Sequence, residues 1–103
     1  MNIQSNKSTQ SLYKAILSLE NENECKIFFR DLLTEAEIKE FSARWKVAQM
    51  LDAKVPYKKI EKQTGMSSTT IARISKWLNN GKDGYRLVLN KLKNSQTHVR
   101  LAR

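Results

Sequence analysis

The sequence predicts an all-α fold, on three observations. Only one proline and three glycines interrupt its 103 residues. No stretch sustains the apolar–polar alternation of a half-buried strand, and apolar residues recur instead at three- and four-residue intervals, the period of an α-helix with one buried face. The segment Tyr57–Leu78, YKKIEKQTGMSSTTIARISKWL, also has the form of two short helices joined by a tight turn, a helix-turn-helix.

The first helix is expected from Ser8 or Thr9 to near Glu20, with Leu12, Tyr13, Ile16, Leu17 and Leu19 along one stripe. Asn21 or Asn23 can cap a second helix, since a short side-chain oxygen there satisfies a free backbone amide of the first turn. Cys25, Ile27, Phe28, Phe29, Leu32 and Leu33 give this helix an apolar surface wide enough to predict burial on more than one side. Thr34 with Glu37 three residues on is a capping box that opens the third helix. Ile38, Phe41, Trp45, Val47, Ala48 and Leu51 are its expected core face, and it ends near Ala53.

The fourth helix can start at Pro56 or Tyr57, because proline presets φ where the first helical amide needs no partner. Ile60 and Thr64 face inward. Gly65 falls where the chain must turn between helices, and glycine enters the left-handed conformation without a steric penalty. Met66 plugs the elbow and Ser67 caps the fifth helix. In that helix Ile71, Ile74 and Leu78 form the inner stripe, widened by Trp77, while Ser68, Thr69, Thr70, Arg73 and Lys76 lie opposite. Asn79-Asn80-Gly81 is a helix stop. Asp83 then caps a sixth helix carrying Tyr85, Val88, Leu89 and Leu92 on one face. Residues 1–93 form a single helical domain with its helix-turn-helix at about 57–78, and residues 94–103 a basic, flexible tail.

The outer face of the fifth helix suits DNA. Short hydroxyls allow close approach to base edges and phosphates, and cations neutralise the backbone. Lys58, Lys62, Ser67, Ser68, Thr69, Thr70, Arg73 and Lys76 are the candidate DNA-binding residues, and no Asp or Glu occurs from Lys62 through Lys82. Glu61 is a departure, standing where many such motifs carry alanine. A structural helical hairpin with a solvated basic face is the competing explanation. Charge distribution favours DNA: of the formal net +9, residues 1–53 contribute −1, residues 54–82 +6 and residues 83–103 +4. The excess falls on the motif and on the C-terminal residues beyond it, as expected for association with a polyanion.

Other classes find less support. The apolar runs are a few residues long, far below the roughly twenty that span a bilayer, and the apolar stripes are needed for the core rather than for lipid. The polar start MNIQSNKSTQ is not a secretory signal, so a cytoplasmic location is expected. Cys25 has no cysteine to pair with and is expected to be a buried small hydrophobe. His98 is the single histidine and sits in the tail, so neither a metal site nor histidine acid–base chemistry is expected. Glu35, Glu37 and Glu40 stand on the capped start of the third helix, where the dipole favours negative charge. No catalytic constellation and no cofactor site is expected.

LLTEAEI at the third helix, ARW at its centre and the elbow IEKQTGMSSTTIAR, together with ILSLENENECKIFFRDLL before and LNNGKDGYRLVL after, resemble the Trp repressor superfamily, and within it the TrpR-like YerC/YecD family. The resemblance covers about residues 11–93. It implies a six-helix Trp-repressor-like fold and an intertwined homodimer with interlocked N-terminal helices, acting as a bacterial transcription regulator, most simply a repressor, on double-stranded DNA. By the same resemblance Thr34, Arg44, Arg73, Ile74 and Trp77 match the effector-pocket positions. Ile74 replaces a glycine and Trp77 a serine, so L-tryptophan is not the expected effector, and the sequence names no other small molecule. The alternative function is a non-catalytic RNA- or protein-interaction module using the same basic surface.

Overall fold

A computed structural model describes residues 6–102, with side chains through Ser95. Residues before Asn6, and the side chains of His98, Val99 and Arg100 in the expected tail, lie outside the described residues. Among those described there are six helices and no strand: α1 Lys7–Leu17, α2 Glu22–Leu32, α3 Glu35–Asp52, α4 Tyr57–Thr64, α5 Ser68–Asn80 and α6 Gly84–Ala102. The chain divides into two compact units, Met1–Lys39 and Glu40–Arg103.

In the N-terminal unit each helix start is set by a local hydrogen bond. Asn6 Oδ1 accepts from the Ser8 amide at 2.7 Å, and Asn21 Oδ1 from the Glu24 amide at 2.9 Å. Asn21, not Asn23, is therefore the cap of α2, and Glu24 reaches back to the Glu20 amide at 2.9 Å. α1 stops at Leu17, short of Glu20, because Ser18 turns both its amide and its hydroxyl onto last-turn carbonyls, the hydroxyl reaching Ala15 O at 2.6 Å. The capping box of α3 is present in both directions: Thr34 N donates to Glu37 Oε1 at 2.9 Å and Glu37 N to Thr34 Oγ1 at 3.1 Å.

Burial in this unit departs from expectation. Neither α1 nor α2 has a buried residue. Phe28 and Phe29 are half-buried, their rings tilted against each other at 5.6 Å, whereas Tyr13, Ile16, Ile27 and Leu32 are exposed and Leu17 is 83% exposed. Cys25 is half-buried rather than buried. Two short helices have too little facing surface to close an apolar face as wide as that of α2.

The C-terminal unit has a true core. Val47 and Ala48 of α3, Ile60 of α4, and Ile71 and Ile74 of α5 are fully shielded, with Leu78 and Leu89 nearly so. Trp45, Met50, Leu51, Val55, Met66 and Tyr85 pack around them. Phe41, expected in the core, is 49% exposed. α3 ends in a Schellman turn, with Lys54 left-handed at φ 64, its amide bonded to Leu51 O and the Val55 amide to Met50 O, each at 3.0 Å. This turn returns Val55 to the core just before Pro56.

α6 is fastened to the end of α3 by ions that lie far apart in sequence. Asp52, only 11% exposed, accepts from Arg86 Nη1 at 2.5 Å and pairs with Lys93 Nζ at 2.6 Å. The Lys93 and Arg86 hydrogen bonds hold the Asp52 carboxyl below its usual range. Asp83 precedes α6 in a left-handed conformation, φ 66, and its carbonyl accepts from the Leu87 amide at 2.8 Å. Its backbone, rather than the side-chain cap expected from sequence, starts the helix. Of the expected α6 face, Leu89 is buried and Tyr85 half-buried, while Val88 and Leu92 are exposed. The helical backbone continues past Asn94 to Ala102.

Candidate nucleic-acid interface

The corner between α4 and α5 is built by four consecutive residues. Thr64 Oγ1 donates to Ile60 O at 2.7 Å and accepts from the Met66 amide at 3.1 Å, closing the end of α4. Gly65 is left-handed at φ 74, and its amide bonds Glu61 O at 2.8 Å. A Cβ at Gly65 would meet nothing within 4 Å, so backbone conformation alone calls for glycine here. Met66 tucks against the core. Ser67 caps α5, with Oγ accepting from the Thr70 amide at 3.2 Å. The roles of Gly65, Met66 and Ser67 were legible in the sequence; the hydroxyl bonds of Thr64, read there only as an inward-facing residue, were not.

With Ile71, Ile74 and Leu78 locked inward, helical periodicity turns Ser68, Thr69, Ala72, Arg73 and Lys76 outward, and all five are exposed. Lys58 and Lys62 of α4 and Ser67 are exposed as well. Thr70 differs: it is half-buried and its hydroxyl lies 3.0 Å from Ser67 Oγ, so it belongs to the cap more than to the open face. Ala72 is a member of that face which sequence reasoning passed over, because attention to charge and hydroxyls hides an alanine.

The expected effector positions fall in different circumstances. In the N-terminal unit, Thr34 Oγ1 is engaged by the capping box. In the C-terminal unit, Arg44 pairs with Glu40 one turn earlier at 2.7 Å, Arg73 is exposed, and Ile74 is fully buried in the core. Trp77 does not widen the buried stripe. It is 42% exposed and borders an open hollow of about 520 Å³ with Trp45, Lys82, Gly84, Tyr85 and Val88. Trp45 and Tyr85 stack on one wall with centroids 6.3 Å apart. Gly81 brings the end of α5 so close to the Trp77 carbonyl that a Cβ would collide with it.

Among the described residues no group of His, Cys, Asp and Glu is disposed to hold a metal ion, and no helix is long and apolar enough to cross a membrane.

The family model described as Trp repressor protein matches residues 7–93. The uncharacterized protein YerC of Bacillus subtilis strain 168 is 42% identical over 91 residues, covering 88% of this chain and 88% of YerC. Two solved structures share the fold. A TrpR-like protein from Eubacterium eligens ATCC 27750 is 39% identical with a TM-score of 0.85, covering 90% of this chain and 96% of that one. A candidate Trp repressor from Staphylococcus aureus is 38% identical with a TM-score of 0.82, covering 90% and 95% respectively.

Proposed function

The chain belongs to the Trp repressor family of DNA-binding regulators, and from that premise we propose that it is a sequence-specific transcriptional repressor that acts as a homodimer and needs no L-tryptophan. The observation that carries the DNA-binding reading is the outer face of α5. Hydroxyls and cations are exposed together there, on a helix held by the Gly65 turn and the Ser67 cap, with no carboxylate from Lys62 through Lys82.

Dimerisation is supported by the N-terminal unit, whose exposed Tyr13, Ile16, Leu17, Ile27 and Leu32 are more apolar surface than a monomer of this size usually leaves in water. A two-fold dimer would present two copies of α5 to successive major-groove faces, with half-sites about one turn, ~34 Å, apart. Independence from tryptophan is supported by Ile74, a branched side chain sealed in the core where the family's effector site has glycine. Held by packing, α5 is ready to bind without the free-energy cost of ligand-dependent ordering.

Selection of bound fragments from random genomic DNA tests this function. A pseudo-two-fold site bound equally well with and without millimolar L-tryptophan is the expected result. Uniform, weak, salt-sensitive retention of all fragments defeats sequence specificity, and a monomer at micromolar concentration in sedimentation velocity defeats the dimer.

A further inference from the structure

The exposed stripe of α5 contains one side chain without a polar atom. Residues 68, 72 and 76 succeed one another at i,i+4, as do 69 and 73, so Ala72 lies mid-stripe with Ser68 one turn before it and Lys76 one turn after. Ile71, Ile74 and Leu78 hold the opposite side in the core, which fixes the rotation of the helix and leaves Ala72 exposed.

An alanine can neither donate nor accept a hydrogen bond. It is therefore blind to the N7, O6, N6 and N4 groups of the base edges, and the major-groove feature it complements is the C5 methyl of thymine. Alanine is also the best helix former, and a mere filler would satisfy propensity. Its surroundings argue for more. Arg73 and Lys76 are long and can reach phosphates, while a side chain ending at Cβ mid-stripe lets the helix axis approach the groove floor. We infer that Ala72 is a specificity-determining residue that reads the C5 methyl group of a thymine in the bound site. This rests on the DNA-binding reading above and adds to it one base identity and the atom group through which it is recognised.

The test pairs DNA and protein changes. The site selected by the wild-type protein is resynthesised with deoxyuridine replacing each thymine in turn, which removes only the methyl, and affinities are measured for wild type and Ala72→Gly. At one thymine position, repeated by symmetry, wild-type affinity should fall about four-fold, the ratio given by ~0.8 kcal/mol for a buried methyl-sized group. For Ala72→Gly that ratio should shrink to near one there, while ratios at other thymines stay as in wild type. Because glycine weakens a helix, Ala72→Ser is the companion: it retains Cβ and the helix, and by setting a hydroxyl beside the methyl it should lower the ratio at the same position and no other. Ratios unchanged in both variants, or no thymine sensitive to methyl loss in the wild type, overturn the inference while leaving DNA binding intact. Failure of the wild-type protein to select any DNA would instead remove the functional reading, and this inference with it.

Discussion

Replacing Gly65 with alanine isolates the conformational requirement of the turn. Gly65 is left-handed at φ 74 and a Cβ there would meet no atom within 4 Å, so no clash contributes. The cost of an L side chain in that region is roughly 1–2 kcal/mol. In urea, with a slope of about 1–3 kcal/mol/M for a small protein, the midpoint should fall by about 0.3–2 M, measured at one protein concentration because a dimer's apparent stability depends on it. Gly65→Asn should recover part of the loss, since asparagine tolerates the left-handed region. Gly81→Ala makes the contrast: its φ of −87 is not left-handed, but the added Cβ meets the Trp77 carbonyl, and the end of α5 must shift. DNA affinity should track the same order at Gly65, wild type above Asn above Ala. Equal losses for Gly65→Ala and Gly65→Asn would refute the claim that positive φ is what demands glycine.

Asp52→Asn should lower the melting temperature at neutral pH by unfastening α6 from α3. Because the folded-state carboxyl is held below its unfolded value near about 3.9, its stabilisation is present above that value and lost as pH falls through the folded one; the gap between wild type and variant should therefore close on acidification, and a gap constant down to pH 2 would contradict the ion-cluster account. Lys58→Ala, Lys62→Ala and Lys76→Ala should each weaken binding to all DNA sequences and lessen the salt slope by roughly one per bound copy, whereas Ser68 and Thr69 substitutions should change the selected sequence; equal loss on specific and random DNA for Thr69→Ala would sink that division. Thr70→Val, which removes the hydroxyl beside the Ser67 cap, should act more on thermal stability than on sequence preference, and a changed preference at unchanged stability would reverse the assignment. Ile74→Ala should cost about 2–5 kcal/mol by emptying a fully packed site, and Trp77→Ala less, since much of that ring already faces solvent; calorimetry with L-tryptophan should show no saturable heat for the wild type, and saturable binding coupled to tighter operator binding would overturn constitutive action.

Features legible without coordinates were local or periodic. Caps at Thr34 and Ser67 and the left-handed glycine at 65 are bonds and dihedrals within three or four residues, so residue type and spacing imply them directly, whereas the choice of Asn21 over Asn23 came from the structure. The inward set Ile60, Ile71, Ile74 and Leu78 reflects helical period, and the outward basic face is its complement. Depth is another matter. Periodicity says which face is apolar but not whether anything within the chain covers it, so Phe41, Trp77 and Cys25, all predicted to pack, end up partly or largely in solvent. The same limit hid the tie from Asp52 to Arg86, 34 residues away, and that to Lys93, because no pattern in either segment specifies the other. Thr69 and Thr70 are alike as letters. Only the packing of α5, which turns one hydroxyl to solvent and the other toward Ser67, separates a candidate reader of DNA from a part of the helix cap.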